Sequence, residues 1–463
     1  MRGRPLRRAI LAGTVLTLGG VAGLVLAINL LNSAEQRIGQ GSPSPAALPS
    51  PSPVASHRPR SVAPSMAEQS PIAVASAEPT PDMSGPIVRW ATAAVFSSDG
   101  WAEEVADMTY AAGHFIGLGY REPDDQRGQV GPPTDEPRIW ISPDGVAWER
   151  VDVGTMFESA HPRTVIALPD GSAMAFGTID PEPPANPRSA AWRSTDGRTW
   201  TPIELRLPRD DWLGQVVSGP LGLISVVSIS TEEGETEEVW YSVDGATWTV
   251  THTIEASDGF EPGVYDAQAG PEGFVITGYR YRFNGDERED QAFVLASADG
   301  RGWFEAPSNE TTFEIYTHVA SIGSDWIIAA NGVREDGRFS SLATTWFSAN
   351  GLAWDERATI QVPMPTSPYA DEETSTVISG LVSTGDRVIA SGSVVICCHG
   401  PRWAAGVWSS FDGRSWERLG FPPGTVVTAA AEHDGIVVLA GFDRAHPEDD
   451  FKARAVFWVG ERR

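Results

Sequence analysis

The chain of 463 residues is poor in cysteine and nearly without lysine: it holds two Cys, and Lys452 is its one Lys. The two cysteines are adjacent, Cys397 and Cys398, which excludes a disulfide framework, because sequence neighbours cannot staple distant segments. There is no Gly-rich phosphate loop, no nucleophile elbow and no His-rich zinc motif, which sets aside the chemistry those motifs carry. Positive charge is scarce: 34 Lys and Arg stand against 61 Asp and Glu, for a formal charge of −27. Residues 1–100 hold eight Arg and five acids, so the remainder carries −30. A surface of that sign repels phosphate backbones, and nucleic acid is excluded as a partner.

Long apolar runs are also missing, with one exception. Arg2, Arg4, Arg7 and Arg8 precede an uncharged run from Ala9 to Leu31. As a helix it spans about 35 Å, enough to cross a bilayer core. Positive charge ahead of the run predicts a cytoplasmic tail over 1–8, a single-pass anchor over 9–31 and everything after it outside the cell membrane. The rival reading is a cleaved signal peptide, but Asn32-Ser33-Ala34 is a poor small-x-small cleavage site. Residues 32–86 are rich in Pro, Ser and Ala, as in Pro49-Ser50-Pro51-Ser52-Pro53, and read as a disordered stalk. Residues 87–463 remain as the folded domain.

What is abundant is Trp, with 17 against 8 Tyr, and much of the excess sits in a repeat. The pattern Ser-x-Asp-Gly-x-x-Trp occurs at Ser142, Asp144 and Trp148; Ser194, Asp196 and Trp200; and Ser242, Asp244 and Trp248. It returns at Ser297, Asp299 and Trp303; Ser348, Asn350 and Trp354; and Ser410, Asp412 and Trp416. Two residues before each Ser stands Trp140, Trp192, Trp240, Leu295, Trp346 or Trp408. The physics is that of a hairpin: a strand ends at Ser, Asp-Gly makes the turn, and Trp starts the return. Gly supplies positive φ, Asp and Ser hydrogen-bond turn amides, and the indole packs between sheets. Asn350 keeps the needed oxygen. Two further strand-like runs precede each box, such as Thr164–Leu168 and Ser172–Gly177. Each unit is therefore four short strands, a blade that cannot bury both faces alone.

The motif resembles the Asp box, or bacterial neuraminidase repeat, of sialidases, sortilin-type receptors and many bacterial β-propellers. Six boxes and a seventh unit beginning near Val426 predict an all-β, seven-bladed propeller. The last unit lacks its fourth strand, and Val88–Phe96 is the candidate that closes the ring. Ser98-Asp99-Gly100 reads as a turn at that join.

The resemblance implies that ligands meet the face opposite the boxes, built by second-to-third-strand loops. Those segments read as long and acidic, near 120–137, 179–189, 230–238, 280–291, 333–342, 394–403 and 443–452. Candidate ligand-binding residues are Asp286, Glu287, Glu335, Asp336, Cys397, Cys398 and His399. Cys397 and Cys398 would close a vicinal disulfide in an oxidising compartment. No cofactor is expected; calcium is an open option for the acidic loops, although none has EF-hand spacing. The sialidase activity of the resembling family needs an Arg triad and a Tyr–Glu couple. Arg138-Ile139-Trp140 is the nearest string to its Arg-Ile-Pro signature and lacks the Pro. Tyr265, Tyr279, Tyr281, Tyr316 and Tyr369 are available, but sequence pairs none of them with a Glu. The leading expectation is a binding or scaffold propeller for a protein or cell-envelope glycan. The alternative is a glycoside hydrolase acting through paired carboxylates.

Overall fold

The computed structural model describes residues 87–97, 101–123, 136–179, 188–231, 234–284, 287–307, 317–333, 339–361, 374–396, 400–422, 425–444 and 453–462. These residues form seven four-stranded antiparallel sheets. Strand β1 (Ile87–Phe96) comes first. Blade 1 is β2 (Trp101–Ala111), β3 (His114–Pro123), β4 (Glu136–Ser142) and β5 (Glu149–Val151). Blade 2 is β6 (Ala160–Ala167), β7 (Ala173–Ile179), β8 (Arg188–Ser194) and β9 (Thr201–Ile203). Blade 3 is β10 (Val216–Gly219), β11 (Gly222–Thr231), β12 (Gly234–Ser242) and β13 (Thr249–Ile254). Blade 4 is β14 (Glu261–Gly270), β15 (Gly273–Asn284), β16 (Glu287–Ser297) and β17 (Phe304–Glu305). Blade 5 is β18 (Thr317–Ile322), β19 (Asp325–Val333), β20 (Phe339–Ser348) and β21 (Asp355–Gln361). Blade 6 is β22 (Thr374–Ser383), β23 (Val388–Ile396), β24 (Gly400–Ser410) and β25 (Glu417–Arg418). Blade 7 is β26 (Val426–His433), β27 (Ile436–Arg444) and β28 (Ala453–Arg462), with β1 as its fourth strand.

The seven blades and their closure by the N-terminal strand are as the repeat predicts. β1 pairs with β28 from Ile87↔Arg462 to Phe96↔Ala455. This pairing removes a free sheet edge. Phe96 is buried at the seam, 6.1 Å from Phe457 of blade 7 and 6.0 Å from Trp140 of blade 1. First strands of successive blades touch around a closed ring, from β2 through β26 and back, so they line the axis. The tail, anchor and stalk expected over 1–86 lie outside the described residues, as does Ser98-Asp99-Gly100. Among the described residues no helix is long and apolar enough to cross a membrane.

Each box is a wider loop than an Asp-Gly two-residue turn, running from Pro143 to Trp148 between β4 and β5. In that loop Val146 and Ala147 amides donate to Asp144 Oδ1 at 2.9 and 2.8 Å, and Ser142 Oγ donates to the same oxygen at 3.1 Å. Gly145 sits at φ 74°, where a side chain would be strained. Burial alone would raise the Asp144 pKa; the Ala147, Val146 and Ser142 hydrogen bonds outweigh it and hold the carboxyl below its ordinary value. Asn350 accepts from Leu352 and Ala353 at 2.9 Å each, so its box keeps the same geometry.

The box tryptophans pack on the preceding blade. Trp148 stacks on Phe457 of blade 7 at 3.7 Å, and Trp248 meets Phe176 of blade 2 at 6.0 Å. The inner strands carry a second inter-blade device. β2 and β14 are bulged between Val105 and Asp107 and between Val264 and Asp266. Asp107 Oδ2 accepts the Val165 amide of blade 2 at 2.8 Å, and Asp266 Oδ2 accepts the Val319 amide of blade 5 at 3.1 Å. The β2 bulge folds against a glycine of the second strand: a Cβ on Gly119 would lie 1.9 Å from the Glu104 carbonyl oxygen.

Candidate functional site

In a four-stranded antiparallel blade the first-to-second and third-to-fourth connections share one end. The boxes therefore lie at one end of the ring, and the second-to-third hairpins and blade crossings at the other. In blades 3 and 4 the hairpins differ from the expected long loops. β11 runs to Thr231 and β12 resumes at Gly234; β15 runs to Asn284 and β16 resumes at Glu287. Acidic stretches that read as loop are paired strand. Ser230 faces Glu235 and Ser228 faces Glu237 across β11 and β12. Small hydroxyl residues opposite the acids let a Glu-rich run join a ladder. Glu237 and Glu238 are buried, at 2% and 4% exposure, rather than lining a solvated rim.

This pairing builds a cluster where blades 3 and 4 meet on the hairpin end. Glu261 opens β14 directly opposite Tyr281 of β15. The Tyr281 hydroxyl donates to Glu261 Oε2 at 2.8 Å and lies 3.5 Å from Glu235 Oε2, carried by the blade 3 hairpin. All three are half-buried. Tyr279, Tyr281 and Phe283 alternate along β15 and so share a face. Their rings follow one another at 5.8 and 6.0 Å, and Tyr265 stacks on Tyr279 at 4.5 Å. The row ends on Phe283, 63% exposed. Intervening Arg280 and Arg282 turn away: Arg280 grips Glu305 through two 2.8 Å hydrogen bonds, and Arg282 bonds Glu289 at 2.7 Å.

The electrostatics of the cluster are those of crowded acids. Burial, then the neighbouring Glu261 charge, raises the Glu235 pKa. Burial pushes Glu237 up to about 8 against the lowering effect of the Ser228 hydroxyl, which bonds both its oxygens at 2.9 Å. Tyr281 is held far above the ordinary phenol value by burial, by its bond to Glu261 and by the Glu235 charge. Its hydroxyl therefore keeps its proton and acts as a donor.

A second couple lies in blade 1. The Tyr120 hydroxyl donates to Glu104 Oε2 at 3.1 Å, and Arg163 of blade 2 sits 5.1 Å from the Tyr120 ring centroid. Beside it Glu103, fully buried, is held by Arg150 at 2.9 and 3.0 Å, and Glu136 is shared by Arg121 and Arg138. Both blade 1 glutamates on β2 are buried; Arg150 pairs with Glu103, and Glu104 accepts from Tyr120. At the blade 3–4 junction, among the described residues, no ion pair reaches Glu235 or Glu261.

Asp286, Glu335, Asp336, Cys397, Cys398 and His399 lie outside the described residues, as do Tyr316, Tyr369 and the side chain of Glu287. The box residues Ser142, Asp144 and Trp148, with their counterparts, sit at the far end of the ring and serve their own loops. Among the described residues no three His, Cys, Asp or Glu side chains are grouped to hold a metal ion. Sequence reading missed the Tyr281–Glu261 and Tyr120–Glu104 couples. Their signal was a Tyr near the end of a second strand and a Glu near the start of the first, brought together by antiparallel register.

The fold and site thus define a seven-bladed β-propeller with an acidic, tyrosine-lined junction on its hairpin end. No family model matches the chain, and no curated protein matches it. Among solved structures it is similar to an α-L-arabinofuranosidase from Fusarium graminearum, with 16% identity over 64% of this chain and 91% of that one and a TM-score of 0.37. It is also similar to an α-L-arabinanase from Penicillium chrysogenum, with 16% identity, 64% and 91% coverage and a TM-score of 0.38. A polysaccharide lyase, an ulvan lyase, gives 13% identity, 81% and 96% coverage and a TM-score of 0.44. The architecture itself rests on the strand pairing, and these likenesses assign no residue a role.

Proposed function

We propose that this chain is a glycan-binding propeller of Asp-box type, displayed outside the cell on the Pro-rich stalk and held by the 9–31 anchor. The observation that carries the reading is the aromatic row Tyr265, Tyr279, Tyr281 and Phe283 beside Glu235 and Glu261. Sugars offer apolar C–H faces for rings and hydroxyl donors for carboxylates, and a row of rings beside two acceptor groups serves both. The carboxylates accept only, so they select ligand groups that donate. The binding calls for no cofactor. The test is a glycan array probed with the full-length protein and with Tyr281→Ala. Glycan binding that disappears in the variant supports the reading; an array with no binding, or binding unchanged in Tyr281→Ala, contradicts it.

A second reading, glycoside hydrolysis, is favoured by one specific feature. Glu235 and Glu261 approach the same hydroxyl from different blades, and burial raises the Glu235 pKa. Retaining glycosidases set an acid and a nucleophile about 5 Å apart across the scissile bond. In that scheme Glu235 is the acid and Glu261 the nucleophile. Fluorogenic glycosides distinguish the readings: turnover lost in both Glu235→Gln and Glu261→Gln establishes hydrolysis, and binding without turnover leaves the glycan-binding reading.

A further inference from the structure

The blade 3–4 junction has a charge imbalance that a neutral sugar leaves in place. Two carboxylates converge on one phenol, and that phenol has a single proton to give. Burial, then the like charge of Glu261, raises the Glu235 pKa. The two arginines that flank Tyr281 on β15, Arg280 and Arg282, are spent on Glu305 and Glu289. The rings of Tyr265, Tyr279, Tyr281 and Phe283 form a row that includes the phenol itself, and aromatic rings attract cations. Acid pair and aromatic row meet at Tyr281, and both favour a positive group. A metal ion is a poor match, since among the described residues no metal-holding group of acids is present. An ammonium, with three N–H donors, satisfies two carboxylates at once and still rests against a ring.

Resting on the glycan-binding reading, we infer that the Glu235–Glu261–Tyr281 site takes a glycan carrying a free ammonium group, that is, a hexosamine lacking its N-acetyl group. N-acetylation removes the charge and turns the amine into an amide whose bulk and carbonyl acceptor face carboxylates that cannot donate. Sialylated and uronate-bearing chains are disfavoured for the same reason, on a protein of formal charge −27.

The test is calorimetry with the full chain at slightly acidic pH, using a glucosamine tetramer and its fully N-acetylated counterpart. The expected preference for the free amine is at least about tenfold, the equivalent of one favourable charged contact. Glu235→Gln and Glu261→Gln each erase most of that preference. Glu158→Gln, an equal charge change at an exposed residue outside the junction, keeps it and controls for general attraction of a polycation to an acidic protein. Tyr281→Phe, which keeps the ring, weakens both oligomers modestly and reports on folding through near-UV circular dichroism. Equal affinities, a preference for the acetylated oligomer, or a preference erased as much by Glu158→Gln overturn the inference. If neutral glycans then still bind in a Tyr281-dependent way, the glycan-binding reading stands without it; if no glycan does, both fall.

Discussion

Glu237 shows how one side chain couples burial to pH. Its carboxyl is pushed up to about 8 by burial, so the folded protein holds a proton there that the unfolded chain releases near the ordinary 4.5. A raised acid contributes stability that is complete below the unfolded pKa and is lost as pH rises through the folded one. The window is therefore from about 4.5 to about 8. Glu237→Gln mimics the protonated state and keeps an acceptor for Ser228. We expect it to raise the melting temperature at pH 9 and leave it nearly unchanged at pH 4, measured by scanning calorimetry; equal effects at both pH values would contradict the assignment. Asp107 and Asp266, each pushed up to about 7 by burial, slope the same way. His318 opposes them: burial lowers it to about 4, so its contribution is lost as pH falls from about 6.5 to about 4. The box aspartates belong to the acid limb, because their amide hydrogen bonds hold them low. Asp244→Ala removes the acceptor for the Ala246 and Thr247 amides and should cost about 2–3 kcal/mol in denaturant unfolding. Asn350→Asp, which keeps the oxygen, should stay within about 0.5 kcal/mol of the parent.

At the scale of elements the molecule depends on how strands are shared. β1 arrives from the start of the folded region and completes the last blade, so both ends of the domain meet in one sheet. Deleting residues 1–97 should leave β28 as an open edge and expose Phe457 and Trp140 beside the vacated Phe96 position. The expected outcome is a soluble but markedly less stable or self-associating domain by light scattering; a monomer with unchanged unfolding midpoint would contradict the seam's role. The closing strand, the blade number and the inter-blade role of Trp148 and Trp248 were legible because the box repeats at a fixed place in each unit and the last unit stops one strand short. The junction was not. Glu235, Glu237 and Glu238 sit in a run whose composition says solvent, and only cross-strand pairing to Ser228 and Ser230 reveals a strand. Tyr281 stands 20 residues from Glu261 and 46 from Glu235, separations that register and ring closure bridge and that local pattern cannot. The extended hairpins also turned presumed variable loops into ordered sheet, which fixes Tyr279, Tyr281 and Phe283 on one face.

At the scale of the whole molecule the two ends of the propeller divide the work. The box end repeats the same Ser, Asp or Asn, Gly and Trp contacts and holds the blades at their spacing. The hairpin end differs from blade to blade. In blade 1 Glu103 is paired with Arg150 and Glu136 with Arg121 and Arg138, whereas between blades 3 and 4 Glu235 and Glu261 converge on Tyr281. That asymmetry, set within a domain of strongly negative charge, is why we propose recognition at one junction rather than along the central axis. The most direct measurement is the affinity of a glycan selected on the array for the full-length protein, its Tyr281→Ala variant and its Tyr120→Ala variant, each with unfolding midpoints recorded alongside. A junction site predicts that Tyr281→Ala loses binding at least about tenfold, roughly 1.4 kcal/mol, while Tyr120→Ala binds as the parent does. Binding that survives Tyr281→Ala, or that is lost with Tyr120→Ala instead, would contradict it.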